Sequence, residues 1–204
     1  MRIKTMEKMR KKLVVATGNK NKLREISQIF PDYEVISQSQ AGFCTEAEET
    51  GSTFAENAVI KAQAACNALS LPVIADDSGI CVTALGGAPG VYSARYAGAH
   101  GDDKANRDKL LKVLKDKADR SAYFESAIAF CRPGKEPVVT TGRTYGQILK
   151  EETGENGFGY DCIFFSDDLK KSFGIASAEE KNAVSHRYRA LIALKEKIEA
   201  EETE

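Results

Sequence analysis

The stretch "LPVIA" (71–75) is apolar at every position instead of alternating apolar with polar. A strand with one wet face alternates, so an unbroken apolar run belongs to a strand covered on both faces. Such a strand needs sheet neighbours beside it and helices packed on the sheet. The run leads into "DDSG" (76–79), which places two carboxylates, a hydroxyl and a glycine where a buried strand is expected to end. Adjacent strand residues point to opposite faces. Asp76 and Asp77 therefore cannot do the same job, and one is expected to face a cleft while the other supports it. On these four residues alone, plain turn capping is an equally open reading.

The rest of the chain supplies the expected covers. "KLVVAT" (12–17) reads as a strand that stops at Gly18-Asn19, after which Leu23, Ile26, Ile29 and Phe30 recur at helical spacing. "YEVISQ" reads as a second strand. Beyond the acidic loop "CTEAEETGS", Thr53 and Glu56 form a capping-box pattern. The helix they open puts Phe54, Ala58, Ala62, Ala65, Cys66 and Leu69 on a buried stripe, with Asn57 and Lys61 on another face. "GGAPG" (86–90) is a turn, and a further amphipathic helix directs Leu110, Leu111, Leu114 and Ala118 inward. "SAYFESAIAFCR" and "VVTTGRTYGQI" flank the turn "PGKEP" as a long hairpin. Ser177 and Glu180 cap a last helical region carrying Ala190, Leu191, Leu194 and Ile198, and the acidic tail "EAEETE" is expected to be frayed and solvated. The expectation is a mixed α/β sheet flanked by helices, in one domain over residues 13–200. Residues 1–12, basic and holding Met6 and Met9, are set aside as an N-terminal extension, expected to be disordered.

A net charge of −1 removes any global basic field for holding nucleic acid, so an anionic ligand must meet local cations. The cysteines Cys44, Cys66, Cys81, Cys131 and Cys162 are scattered, odd in number and without a C-x-x-C pair. That pattern argues against a disulfide framework or zinc site and for a reducing cytoplasm. No apolar run approaches the ~18 residues of a membrane span.

Several segments could carry chemistry. "TGNKNK" (17–22) joins a strand to a helix, where free backbone N–H groups favour an anion, with Lys22 one turn inside. It lacks Walker A spacing, and an ordinary Asn-capped helix start is the plainer alternative. Glu48, Asp76, Asp77 and Asp161 lie at expected element ends, and two or three such acids suffice for Mg²⁺, which keeps water and phosphate oxygens as its other ligands. "SHR" (185–187), with Lys181 one helical turn earlier, groups donors. His100, in "GAHGDD", has no such company and is expected to be incidental. "GFGYD" (157–161) can leave an aromatic face open for a planar ring.

Taken together and in order, "ATGNKNKLREI", "AEETGSTFAENAVIKA", "ADDSGICVTALGGAPGVYSARYAG", "GFGYDCIFF" and "EEKNAVSHRYRAL" resemble the inosine triphosphate pyrophosphatase family from about residue 13 to about residue 198. The resemblance implies two lobes around a long cleft, a homodimer, and Mg²⁺-dependent hydrolysis of ITP, dITP or XTP to the monophosphate and pyrophosphate. It implies that Thr17, Gly18, Asn19, Lys20, Asn21 and Lys22 cradle phosphate, with Lys61 adding charge. Glu48 and Asp77 would bind the metal, Asp77 would accept the proton of the attacking water, Ser78 would touch substrate, and Asp76 would support the site. Phe158 would stack on the base, Gly159, Tyr160 and Asp161 would shape its pocket, and Lys181, His186 and Arg187 would read the purine edge. Donors facing a 6-oxo group reject the amino group of adenine, and sites built this way reach discrimination of about 10⁴–10⁵. Cys162 departs from the family's usual proline, which frees an N–H and relaxes φ; an altered loop with intact chemistry is expected. Two other readings use the same cleft: a Maf-like pyrophosphatase for modified pyrimidine nucleotides, and a non-catalytic nucleotide- or RNA-binding module. The carboxylate set argues against the second, because acids beside phosphates hinder binding unless a metal intervenes.

Overall fold

The computed structural model describes residues 11–203. Of the stretch set aside as an extension, residues 1–10 lie outside the described residues, whereas Lys11 and Lys12 open the first strand. The strands are β1 Lys11–Val15, β2 Tyr33–Ser37, β3 Val73–Val82, β4 Ser121–Cys131, β5 Val138–Ile148, β6 Phe164–Ser166 and β7 Lys171–Ser172. The helices are α1 Lys20–Ile29, α2 Phe54–Leu69, α3 Asp103–Val113, α4 Ala178–Val184 and α5 His186–Thr203. One mixed sheet runs β2-β1-β3-β4-β5-β6-β7, parallel through β2, β1 and β3 and antiparallel from β3 onward.

The strand carrying "LPVIA" does not stop where the acids begin. β4 pairs with β3 from Val73↔Cys131 to Val82↔Ala122, whereas β1 pairs with it only at Val73 and Ile74. The strand thus continues on the strength of one neighbour, and its other edge loses β1 just before Asp76. This is where the sheet opens into the cleft.

The two faces of β3 have different covers. Val73, Ala75 and Cys81 pack with Ala58, Ala62, Ala65 and Cys66 of α2. The alanine stripe permits this close approach. Ile74 packs with Ile26 of α1 and with Ala190, Leu191 and Leu194 of α5. A third cluster, containing Ile80, Val82, Leu110, Leu114, Phe124, Phe164 and Phe173, fills the far end of the sheet. The sheet thus carries separate core clusters toward its two ends, with the opening beside Asp76 between them.

The capping box at Thr53 is formed, with Glu56 N donating to Thr53 Oγ1 at 3.1 Å and Thr53 N to Glu56 Oε2 at 3.2 Å. Three local expectations need correction. Asn57 is buried, not displayed beside Lys61, and its Oδ1 accepts Gly51 N at 2.8 Å, tying down the acidic loop. α3 ends at Val113, so Ala118 lies outside it and is exposed. The acidic tail is helical through Thr203, and Glu201 pairs with Arg132 at 2.6 Å; these acids continue a helix whose apolar side is already anchored on β4 and β5.

Candidate active site

A cleft of 890 Å³ runs across the opening in the sheet. It is lined by Thr17, Gly18, Asn19, Asn21 and Lys22 from the β1–α1 turn, by Glu48 and Lys61, by Asp76, Asp77 and Ser78, and by the segments holding Phe158–Asp161 and Lys181, His186 and Arg187. Of the residues singled out in the sequence, Lys20 does not line it and is exposed at the start of α1. Asn19 caps that helix, its Oδ1 accepting Asn21 N at 2.9 Å and Lys22 N at 3.2 Å. The cap turns Lys22 into the cleft.

Asp76 is fully enclosed. Oδ2 meets Lys22 Nζ at 2.6 Å, Arg187 Nη2 at 3.1 Å and Ser78 Oγ at 3.2 Å, and Oδ1 accepts the Ser126 hydroxyl. Burial alone would raise its pKa, but Arg187 and Lys22 outweigh that and hold the carboxyl well below its ordinary range. Arg187 is committed as well: Nη1 binds Glu25 Oε2 at 2.5 Å and Nη2 binds Ser78 Oγ at 3.0 Å, at 2% side-chain exposure. The resemblance implies that this guanidinium reads the purine edge; it lines the cleft and is hydrogen-bonded to Asp76, Glu25 and Ser78. A glycine explains how it arrives. Ser78, Ser126 and Gly142 are opposed across β3, β4 and β5, and a Cβ at Gly142 would collide with the His186 carbonyl. Only a bare backbone there lets α5 start directly over this row.

Asp77 stands on the other face, with α2. Its Oδ1 takes Lys61 Nζ at 2.7 Å, while its buried Oδ2 has no hydrogen-bond partner. Burial raises its pKa despite the opposing Lys61. A carboxylate made more basic, with one oxygen unpartnered, suits proton acceptance or cation binding. Lys61 also binds Glu49 Oε1 at 3.0 Å, and Glu49 Oε2 binds Arg95 Nη1 at 3.0 Å. Glu48 lines the cleft from an exposed position, but it is Glu49, its neighbour, that joins the charge network. Neither Glu49 nor Arg95 was singled out in the sequence. Each sits in a polar loop or turn whose partners come from distant segments. His100, set aside as incidental, also lines the cleft.

At the other end Lys181 Nζ pairs with Asp161 Oδ2 at 2.5 Å and lies 4.5 Å from the centre of the Phe158 ring. Asp161 Oδ2 also accepts Phe158 N at 2.8 Å, and burial raises its pKa against the pull of Lys181. Gly157 makes this loop possible: its φ is +80°, and a Cβ there would collide with the Asp161 carboxylate. Tyr160 Oη donates to Ser93 O at 2.8 Å, joining the loop to the turn after β3. His186 is buried, stacked on Phe124 at 5.0 Å, with Nδ1 unpartnered. Burial, reinforced by Arg187 and Lys181, holds its pKa well below the ordinary value, so the ring is neutral at pH 7.

The model of the Ham1 family matches residues 13–197. A dITP/XTP pyrophosphatase of Bacillus cereus is 49% identical over 199 residues, spanning 95% of this chain and 97% of its own length. One of Haemophilus influenzae is 47% identical over 196 residues, spanning 93% and 100%. The solved Ham1 protein of Staphylococcus aureus superposes with a TM-score of 0.87 at 46% identity, covering 94% of this chain and all of its own.

Proposed function

The chain belongs to the Ham1 family, and on that premise we propose that it hydrolyses non-canonical purine nucleoside triphosphates such as dITP, XTP and ITP to the monophosphate and pyrophosphate. The observation that carries the reading is Asp77: one oxygen fixed by Lys61, the other unpartnered, in a cleft with Lys22 nearby and an aromatic-and-lysine pocket at the far end.

Asp77 Oδ2 takes a proton from water as the water oxygen forms its bond to phosphorus. The α–β anhydride bond breaks, and the electron pair leaves with pyrophosphate. Lys61 holds Asp77 in place and offers charge to the phosphates; Lys22 does the same from α1, anchored by Asp76. Mg²⁺ takes one or two carboxylates and leaves its other positions to water and phosphate oxygens; among the described residues no group of three or more His, Cys, Asp or Glu side chains is placed to hold a metal by itself. Glu48 and Asp77 would hold the ion, which when bound neutralises phosphate charge. At the base end Phe158 supplies a stacking face, and Lys181 and the neutral His186 supply hydrogen-bonding groups for a 6-oxopurine edge. Arg187 acts there through Asp76 and Ser78.

The reading includes a cytoplasmic homodimer. Its supports are five free cysteines and a half-exposed Tyr145 packed 5.8 Å from Tyr123, apolar surface that a second copy would cover. No helix among the described residues is long and apolar enough to cross a membrane. Sedimentation equilibrium checks the dimer. For the activity, pyrophosphate release is measured over dITP, XTP, ITP, GTP, ATP and dUTP with and without Mg²⁺. Metal-dependent turnover confined mainly to the first three is expected; efficient dUTP hydrolysis without any on the 6-oxopurines would overturn the reading.

A further inference from the structure

Arg95 lies at the end of the 3-10 turn Gly90–Arg95, which is fastened to the Asp77 face of β3. Ser93 Oγ accepts Ile80 N at 2.9 Å and donates to Gly90 O at 2.6 Å. A Cβ at Gly79 would collide with Ser93 Oγ, so the turn seats only because residue 79 is glycine. Gly79 is two residues beyond Asp77 and shares its face. The mounting therefore aims Arg95 at the same side of the strand as Asp77 and Lys61.

What Arg95 does there follows from its partner. Glu49 receives Lys61 on Oε1 and Arg95 on Oε2, each at 3.0 Å, so two cations from separate elements bridge the two oxygens of one carboxylate. A phosphate presents a similar pair of anionic oxygens to a guanidinium fork. This bridge is also exchangeable. The side chains of Arg95 and Glu49 are 30% and 26% exposed, against 2% for the locked Arg187. Ion pairs that water can reach are weakly held. The Arg95 guanidinium lies 5.3 Å from the centre of the Tyr92 ring, which keeps the fork oriented when its partner changes. Lys181 and Phe158 mark the base end, whereas Arg95 is tied to the Lys61–Asp77 group at the reacting end.

We propose that Arg95 is a substrate-positioning residue that, with Lys61, grips the pyrophosphate half of the triphosphate, Glu49 being the internal anion it exchanges for phosphate. This rests on the pyrophosphatase reading above and adds to it a residue, a competitor and an assignment of which half of the substrate they hold.

The test is calorimetric binding of inorganic pyrophosphate and, separately, inosine monophosphate, at fixed Mg²⁺, to the wild type and to Arg95→Ala, Arg95→Lys and Glu49→Gln. Arg95→Ala should weaken pyrophosphate by about tenfold or more, as expected for losing a charge-assisted contact, and leave the monophosphate within about twofold. Arg95→Lys should fall between, and Glu49→Gln should tighten pyrophosphate by removing its competitor. Unchanged pyrophosphate affinity in Arg95→Ala overturns the proposal. So does an equal loss for the monophosphate, which would make Arg95 a framework residue, or weaker pyrophosphate binding by Glu49→Gln. Failure of the wild type to bind pyrophosphate overturns it as well. Turnover of dITP by the wild type is scored apart: turnover with normal pyrophosphate binding by Arg95→Ala removes Arg95 and leaves the pyrophosphatase reading standing.

Discussion

Asp76 and Asp77 are covalent neighbours on one strand, yet they occupy opposite chemical regimes. Asp76 faces α1 and α5, where Lys22, Arg187, Ser78 and Ser126 engage both of its oxygens and lower its pKa. Asp77 faces α2, has one lysine on one oxygen and nothing on the other, and its pKa is raised. Full satisfaction makes a carboxylate stable and chemically idle; partial satisfaction leaves it costly to bury and reactive. Charge pairing dominates on one face and desolvation on the other, so the candidate site holds a fully paired carboxylate and a half-paired one a single residue apart.

The largest effect that would break this comparison belongs to Asp77. Asp77→Asn should lower kcat for dITP by about 10²–10⁴, the usual loss when a general base is removed, while urea unfolding shows no destabilisation beyond about 1 kcal/mol. A mutant within tenfold of wild type would end the catalytic assignment. Asp76→Asn should invert the pattern and cost about 3–5 kcal/mol of stability, because it leaves buried Arg187 with Glu25 as its remaining counter-charge and takes from Lys22 its ion-pair partner. Equal unfolding midpoints for the two variants would erase the distinction.

Acid titration sharpens the same contrast. Asp76, with its pKa depressed, contributes stability that is present above the ordinary carboxylate range and lost as pH falls through its folded value. Asp77 has the opposite sign, since folding favours its protonated form. Buried neutral His186 acts at milder pH: the unfolded ring takes a proton below about 6.5 while the folded one resists. Its contribution to stability should therefore fall with pH below that point, with a slope of up to about 1.4 kcal/mol per pH unit. Urea midpoints at pH 7.5 and 5.5 should differ in the wild type and differ less in His186→Gln; identical slopes would remove His186 as the cause. The smallest effect is expected at Cys162→Pro. The local bond here is Thr153 N to the Cys162 carbonyl at 2.7 Å, which proline keeps. Its kcat/KM for dITP should stay within about tenfold, or ~1.4 kcal/mol.

Much of the fold is legible because it rests on local chemistry. The Thr53–Glu56 and Ser177–Glu180 boxes, the helix stripe from Phe54 to Cys66 and the long hairpin of β4 and β5 each carry their signal within a few residues. Failures occur where a distant partner decides. β3 runs through "DDSG" because β4 continues to pair with it, and no residue near 76 announces that. The tail is helical because α5 is already anchored on the sheet, and Asn57 is buried because the loop before α2 folds back onto it.

The candidate site divides along the same line. Asp77, Lys22, Phe158 and Lys181 stand out as residue types near expected element ends or in a glycine-rich loop, Lys61 enters only through the family resemblance, and the alternation of a strand is enough to separate Asp76 from Asp77. The ion pairs of Arg187 with Asp76 and Glu25, the entry of Glu49 and Arg95, and the absence of Lys20 from the cleft were decided only by tertiary structure. Period and capping are short-range properties of a backbone. The partner of a charge depends on how closely two surfaces approach, and here that approach is set by glycines at 79 and 142, where a single Cβ would hold the elements apart.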